Sequence, residues 1–572
     1  MARKYVFPSA PALFLFFLLL FFSLFLPAFL CSQEADGAGE PPAEDPPTEE
    51  HASGEETALD QEARAALLEK TDLETETFIL RAVRFNVNGR SRPFALMYHG
   101  EFTIGEKIAD KKALDAYIEA KSQLLNNQRV LESVVIEYTL GERDQRGMVP
   151  VDLLVTVKDT WNIIALPYPK FDSNSGFELI IKFRDYNFLG LMSPLRIDLG
   201  YERKEGSSVI GSVKDVFKAE IDTNTPFRAF ELDWNIDFDH FVSYTMDDGD
   251  GRFAYKNVSG LSVEIPIDKT ALTIGFEQDF ILHEENPERY KEEYGDFASF
   301  FTASALSLAW KIPLGIPVDR FGELTYTPSI SESINYRPWG DMEFWRKGPS
   351  VTLSHSLGFG RVNWIGNYRS GLEASVSNSN TYNLYRAGWH NEYGIFVTGH
   401  KILTRFLGIS SRFRFQQWFF DRVYSTDGYP DYVEAGGVLR GILNKSVIVK
   451  HGGYMFSLNV DFPFHVLHFV PSEWFKSRKL RLFDFDMYLS FFLDTALLKG
   501  SKASWGGRGE LEEEEPIPFI PFSTNGTLTG VGAELIVFPA FMRSFYVRAS
   551  LGYNLNRFLE THHIPKWDEL FL

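Results

Sequence analysis

The chain has 572 residues, a formal net charge of −20 and a single cysteine. The negative balance disfavours a nucleic-acid partner, because phosphates are bound by clustered Lys and Arg. One cysteine excludes an internal disulfide framework and any zinc site built from several cysteines.

The first 32 residues are predicted to be a secretory signal peptide. Arg3 and Lys4 precede an apolar run from Leu13 to Leu26, which is the order of charge and hydrophobicity in such signals. Two alternatives stay open: the segment is retained as a signal anchor, or Cys31 is lipidated. Residues 33–77 are rich in Glu, Asp, Pro and Ala and poor in large apolar side chains, so we expect a disordered acidic linker there.

Residues 78–159 carry the pattern of a compact α/β module. Val83, Phe85 and Val87 alternate as a strand, a helical spacing runs from Leu114 to Leu125, and two further alternating segments end at residue 159. This order of strand, helices and two strands resembles a POTRA domain, the periplasmic module that precedes outer-membrane assembly barrels. The resemblance implies one such domain, with a strand edge that receives extended client segments.

Residues 160–572 are predicted to form a transmembrane antiparallel β-barrel, so the fold class is mainly β. From Phe230 to Asp239 every second side chain is apolar and the others are carboxylates or amides. The same period of two recurs from Leu195 to Glu202 and from Phe545 to Leu555. No apolar run after residue 31 is long enough for a spanning helix, and in lipid only helices and closed barrels pair every backbone group. Counting segments gives sixteen to eighteen strands.

The most specific motif is Gly436-Gly437-Val438-Leu439-Arg440-Gly441-Ile442, in the long loop after the strand that contains Phe413. It resembles the Val-Arg-Gly-aromatic motif in the inward-folded loop of the BamA/TamA superfamily of outer-membrane assembly barrels. The resemblance implies sixteen strands and a loop held inside the lumen by Arg440 and Gly441, with Asp494 as an acidic partner of the arginine. The chain departs from the family at Asn459, where a Glu is often found, and the direction of the Asp461 side chain is left open.

A weak seam between the first and last strands is a second expectation. Phe183 to Gly190 resembles the turn that closes the first hairpin of these barrels, after a first strand from Trp161 to Phe171. Only Trp567 to Leu572 remain for the last strand, about half of the roughly 9 to 11 residues that a spanning strand needs. We therefore expect few hydrogen bonds at this seam. Its two sides carry Trp161, Ala165, Trp567 and Glu569.

No enzyme is expected, because the sequence has no Gly-x-Ser-x-Gly elbow, P-loop or His-Glu-x-x-His motif, and His562-His563 lacks a third convergent ligand. We expect no catalytic residue, cofactor or metal. The resemblance implies a factor of the bacterial outer membrane that inserts unfolded outer-membrane protein clients through a laterally opening barrel, with its POTRA domain in the periplasm. Expected partners are those clients, periplasmic chaperones or accessory lipoproteins, and the lipid bilayer. A dedicated protein secretion pore and a passive channel or surface barrel are the alternatives.

Overall fold

The computed structural model describes residues 76–172, 176–205, 213–247, 250–282, 300–318, 321–337, 342, 347–420, 432–434, 439–440, 446–503 and 527–555. The chain divides into two compact units. The first comprises residues up to Ala82, Ile104–Tyr117 and Thr139–Asp152, and the second comprises Val83–Thr103, Ile118–Tyr138 and Leu153–Leu572. The predicted signal peptide and linker lie outside the described residues, apart from Glu76 and Thr77, and the predicted domain boundaries stay predictions.

Four strands and two helices come first: β1 (Phe78–Asn88), α1 (Pro93–His99), β2 (Lys107–Ile108), α2 (Lys111–Asn127), β3 (Leu131–Leu140) and β4 (Val149–Asp159). The predicted order of strand, helices and two strands is present, with the two-residue strand β2 added between the helices. The sheet order is β2-β1-β4-β3, so β3 lies at an edge of the sheet. Asp110 caps α2, because its carboxylate accepts a hydrogen bond from the Ala113 N–H at 2.7 Å.

Each unit has buried apolar residues of its own. Leu80, Leu114 and Val151 are fully buried in the first unit, and Leu96 and Leu125 in the second. Burial of such side chains contributes about 1.5–3 kcal/mol each. Among the described helices, none is long and apolar enough to cross a membrane.

The remaining strands form one antiparallel sheet in which strands that follow one another in sequence are neighbours. They are β5 (Ile163–Asp172), β6 (Gly176–Phe188), β7 (Ser193–Glu205), β8 (Val213–Ala229), β9 (Leu232–Asp247), β10 (Asp250–Ile267), β11 (Thr270–Leu282), β12 (Phe300–Pro317), β13 (Glu323–Tyr336), β14 (Ser350–Ile365), β15 (Tyr368–Asn383), β16 (Gly388–Thr404), β17 (Leu407–Phe420), β18 (Tyr432–Glu434), β19 (Ser446–Phe469), β20 (Phe485–Ala503), β21 (Thr527–Pro539) and β22 (Val547–Asn554). The strand order returns from β22 to β5, as in a closed barrel. Helix α3 (Pro471–Trp474) and a 3-10 helix (Arg478–Phe483) connect β19 to β20.

The prediction of sixteen strands is wrong. The described residues form seventeen strands of eight residues or more in this sheet, and the short strand β18 is additional, since β17 also pairs directly with β19. The number sixteen came from the family resemblance, whereas the alternation itself allowed up to eighteen. Alternation of apolar residues locates strands, but it does not show where one strand ends and the next begins when the turn between them contains no Gly or Pro.

One such turn joins β8 to β9. Phe230 and Glu231, which the alternation assigned to a strand, are the two turn residues, with φ values of 53° and 64°. Positive φ at both central residues is the geometry of a type I′ turn, whose twist matches that of the flanking strands. Phe230 is accordingly 89% exposed rather than packed beside Leu232.

Apolar side chains form exposed rows across one face of the sheet. Leu261, Phe276 and Leu306 lie directly opposite one another on β10, β11 and β12 and are 43%, 49% and 51% exposed. Glu277 and Asp279 lie on the other face of β11, since neighbouring residues of a strand point to opposite sides. Exposed apolar rows of this extent indicate a surface that contacts something other than water.

Candidate functional site

Arg440 lies between β18 and β19 and is bound by a carboxylate on β20. Its backbone N–H and its Nε both donate to Asp494 Oδ2 at 2.8 Å, and its Nη2 donates to Asp494 Oδ1 at 2.7 Å. The Asp494 side chain is completely buried. A buried carboxylate needs a cation and directed donors to offset its lost hydration, and the guanidinium supplies both.

Two more carboxylates contact the same guanidinium. Arg440 Nη1 lies 2.7 Å from Asp461 Oδ1 on β19 and 3.0 Å from Glu534 Oε1 on β21. Ser550 Oγ on β22 donates to the same Glu534 oxygen at 2.9 Å. Burial lowers the pKa of Arg440, but Asp494 and Asp461 raise it by more, so the pKa lies above its usual value. The arginine stays charged and links three consecutive strands.

An aromatic ring, Phe492, also contacts the Arg440 guanidinium. We call the four residues that surround this group the arginine seat: Asp461, Phe492, Asp494 and Glu534. The Arg440 guanidinium carbon lies 4.0 Å from the centre of the Phe492 ring, a favourable cation–π distance. Phe492 pairs across the ladder with Gly532. A Cβ at Gly532 would lie 2.5 Å from Phe492 Cζ and 2.1 Å from the Leu551 carbonyl oxygen. The ring therefore occupies the space that the missing side chain of Gly532 leaves.

We expect Gly532→Ala to disturb the arginine seat, because the added methyl group displaces the Phe492 ring and crowds the backbone of β22. Overpacking of this kind costs about 1–3 kcal/mol. The measurement is the unfolding temperature of the purified protein, followed by its mobility on unheated and heated gels. Gly399→Ala on β16 is the control, because a Cβ there meets its nearest atoms at 3.6 Å; equal effects of the two substitutions would contradict the role of Gly532.

The seat lies on the inner face of the sheet, opposite the exposed apolar side chains. Phe491 and Leu493 alternate with Phe492 and Asp494 along β20 and are 49% and 39% exposed. Of the predicted loop residues, the structure brings Arg440 and Asp494 together, while Gly441 lies outside the described residues.

The sequence alone does not assign Glu534 as a partner of Arg440, and it leaves the direction of the Asp461 side chain open. The sequence nevertheless contains a signal that both side chains point toward Arg440. Asp461 is two residues from Asn459 and therefore on the same face of β19, and Glu534 shares a face of β21 with Gly530 and Gly532, which leave room for an incoming side chain.

The turn at Phe183 to Gly190 does not close the first hairpin. Phe183–Phe188 is the end of β6, and Leu189 and Gly190 begin the connection to β7, so the segment belongs to the second hairpin. The β5–β6 connection at residues 173–175 lies outside the described residues. A polar residue of this segment, Asn187, forms buried hydrogen bonds. Asn187 is fully buried, and its Nδ2 donates to Ser91 Oγ at 2.9 Å and to Asp159 Oδ2 at 3.1 Å.

Residues of segment 118–138 contact the turns of other hairpins within the second unit. Arg129 Nη2 donates to Asn367 Oδ1 at 2.8 Å in the β14–β15 turn, and its guanidinium carbon lies 4.2 Å from the Trp364 ring centre. Arg481 Nη2, in the 3-10 helix, donates to Glu132 Oε1 at 2.6 Å. Burial and the nearby positive charges lower the pKa of Arg129 to about 10, so the side chain remains charged at neutral pH.

Of the four predicted seam residues, the structure describes Trp161 and Ala165. Trp161 precedes β5, and its N–H lies 3.4 Å from the Phe541 carbonyl oxygen, just after β21. Ala165 is an exposed residue of β5. Trp567 and Glu569 lie outside the described residues, and the strand next to β5 in the sheet order is β22.

No protein-family model matches the sequence, and no curated protein matches it. Several solved structures are similar. A BamA from Haemophilus ducreyi that lacks POTRA domains 1–3 is 13% identical, with 83% of this chain and 80% of that chain covered and a TM-score of 0.33. CdiB from Acinetobacter baumannii is 12% identical, with coverage of 87% and 78% and a TM-score of 0.41. CdiB from Escherichia coli is 10% identical, with coverage of 87% and 94% and a TM-score of 0.33.

Proposed function

We propose that the chain is a non-enzymatic factor that assembles or inserts other proteins in the bacterial outer membrane. In this proposal the seventeen-stranded sheet is a barrel in the lipid bilayer, and residues 78–159 are a POTRA domain in the periplasm. The exposed apolar rows through Leu261, Phe276 and Leu306 support a lipid-facing surface, because the outer band of a membrane barrel is apolar.

The arginine seat is the observation that carries the proposal. Arg440 reaches the inner face of three strands from a loop and meets Asp461, Asp494 and Glu534 there. A passive pore gains nothing from burying the carboxylates of Asp494 and Glu534 around a loop residue, since buried ion pairs seldom add stability compared with apolar packing. An arrangement that fixes Arg440 against three strands favours a function in which this residue has a defined position.

Strand β3 supports the client-receiving role. It lies at an edge of the four-stranded sheet, has ten residues, and carries Val135 at 53% exposure. The opposite edge strand, β2, has two residues. An edge strand of useful length offers unpaired N–H and C=O groups to an extended peptide, which can add to the sheet as a further strand.

Depletion of the protein from the bacterium that encodes it, followed by quantification of the outer-membrane proteome, tests the proposal. We expect many different barrel proteins to decline together. Loss of a single exported protein would instead identify a dedicated secretion pore, and an unchanged proteome would identify a passive channel or surface barrel. Re-expression of the intact chain is the control and should restore the wild-type proteome.

We expect a photo-crosslinking amino acid at position 135 to form adducts with unfolded barrel proteins, because a client strand paired with β3 passes beside that side chain. Ile104 is the matched control position, since it is exposed to a similar degree, 52%, but lies outside every strand. Adducts are identified by mass spectrometry after illumination of growing cells. Equal client adducts at positions 104 and 135, or none at 135, would contradict strand addition at β3.

A further inference from the structure

Two histidines and an aspartate converge where β19 and β20 approach the α3 connection. His465 Nε2 and His468 Nδ1 lie 3.0 Å and 2.7 Å from the same carboxylate oxygen, Asp486 Oδ1. The ligand atoms of the three residues lie within 4.8 Å of one another. Imidazole nitrogen and carboxylate oxygen are ligands that Zn²⁺ and related divalent transition metals accept.

An irregularity in β19 produces this convergence. In a regular strand, residues three apart point to opposite faces of the sheet. Here the register shifts: His465 pairs with Tyr488, Leu467 with Met487 and His468 with Asp486, so Val466 is an extra residue without a partner in the ladder. The shift puts both histidines on the face that Tyr488 and Asp486 share. A bulge that re-aims a side chain is a recurring feature next to functional sites.

Neighbouring side chains hold the carboxylate and one imidazole in place. Asn367 Nδ2 donates to Asp486 Oδ2 at 2.9 Å, which leaves Oδ1 directed at the histidines. The Tyr488 ring stacks on His465, with 4.7 Å between ring centres and 24° between planes. Contacts of this kind orient the ligands of metal sites and contribute to metal affinity.

The three ligands are also accessible. The His468 side chain is 59% exposed, and those of His465 and Asp486 are 22% and 25% exposed. A metal ion can therefore enter from solvent and retain water in the coordination positions that the protein does not fill.

We propose that His465, His468 and Asp486 bind one Zn²⁺ ion, or a divalent transition metal of the same class. His465 supplies Nε2, His468 supplies Nδ1 and Asp486 supplies Oδ1. Bound metal would replace the hydrogen bonds between the imidazoles and the carboxylate and would cross-link the adjoining ends of β19 and β20. The site is independent of the proposed assembly function, because it needs only the local geometry of these two strands and the β14–β15 turn.

The test uses the full chain purified in detergent micelles without a polyhistidine tag. After removal of metal by a chelator, the protein is titrated with Zn²⁺ alone and, separately, with Co²⁺ alone. We expect one bound ion per chain after gel filtration and visible absorption bands from bound Co²⁺. His468→Gln and Asp486→Asn should weaken binding by more than about tenfold, and Asn367→Ala by about tenfold, since it removes an outer contact.

His240→Gln on β9 is the matched control, because His240 belongs to no group of potential metal ligands among the described residues. It should leave metal binding unchanged. Gel mobility with and without heating shows whether each variant is folded. The proposal is overturned if the wild-type chain binds no Zn²⁺ and gives no Co²⁺ bands, or if folded His468→Gln and Asp486→Asn bind metal as well as His240→Gln does.

Discussion

Arg440→Ala is expected to abolish client assembly and to open the loop between Phe420 and Ser446 to protease. The substitution removes the cation that contacts Asp494 and leaves Glu534 with the more distant Arg548, whose Nη1 lies 3.9 Å away; the side chains of Asp494 and Glu534 are 0% and 4% exposed. Removing one partner of a buried ion pair costs about 3–5 kcal/mol. The measurements are the stability of the purified protein to urea, the cleavage pattern of the loop and the amount of assembled clients in complemented cells.

Arg196→Ala is the matched control for this experiment. Arg196 pairs with Asp222 at 2.7 Å, but its side chain is 53% exposed, so its loss should cost at most about 1 kcal/mol. Arg440→Lys separates charge from shape, because lysine keeps the charge but cannot form the paired contacts of a guanidinium; we expect partial activity. If Arg440→Ala behaves like Arg196→Ala in all three measurements, the arginine seat does not hold the loop.

A disulfide across the β5–β22 boundary is expected to stop client assembly, and its reduction is expected to restore it. β22 has eight described residues, fewer than the roughly 9 to 11 of a spanning strand, so we expect a short ladder at this boundary. Ala165 on β5 is combined with either Ala549 or Leu551 on the exposed face of β22, each pair replaced by cysteine in a Cys31→Ser background. Non-reducing gels show which pair forms the cross-link.

The matched control is a cysteine pair at Leu261 and Phe276, which lie directly opposite each other on β10 and β11. A disulfide there joins two strands that stay paired, so assembly should continue in the oxidised protein. Full client assembly by a chain that is completely cross-linked between β5 and β22 would rule out lateral opening at this boundary. Loss of assembly in the control pair would show that oxidation itself inactivates the protein.

The amino-acid sequence by itself determined the strand-rich architecture, and the family resemblance of its motifs implied the pairing of Arg440 with Asp494. Side chains of a strand alternate between faces whatever the rest of the chain does, so Leu306, Leu308 and Trp310 reveal an apolar face without knowledge of their neighbours. The motif around Arg440 was recognisable because it is a short local pattern, whereas Asp494 was implied by the order of the strands that follow the motif in the family it resembles.

Only the tertiary structure decided which residues meet across strands, because register depends on turns and bulges whose geometry the alternation does not encode. It placed Asp461 and Glu534 beside Arg440, and it turned the apparent strand residue Phe230 into part of a hairpin turn.

The pair His465 and His468 shows most clearly that the tertiary structure decides which side chains meet. A spacing of three predicts opposite faces for His465 and His468, and no metal site is expected from the sequence. The bulge at Val466 reverses that geometry and brings both imidazoles to Asp486. A single extra residue in the ladder changes the face of every side chain that follows, and its position is set by pairing with β20 rather than by the sequence of β19 alone.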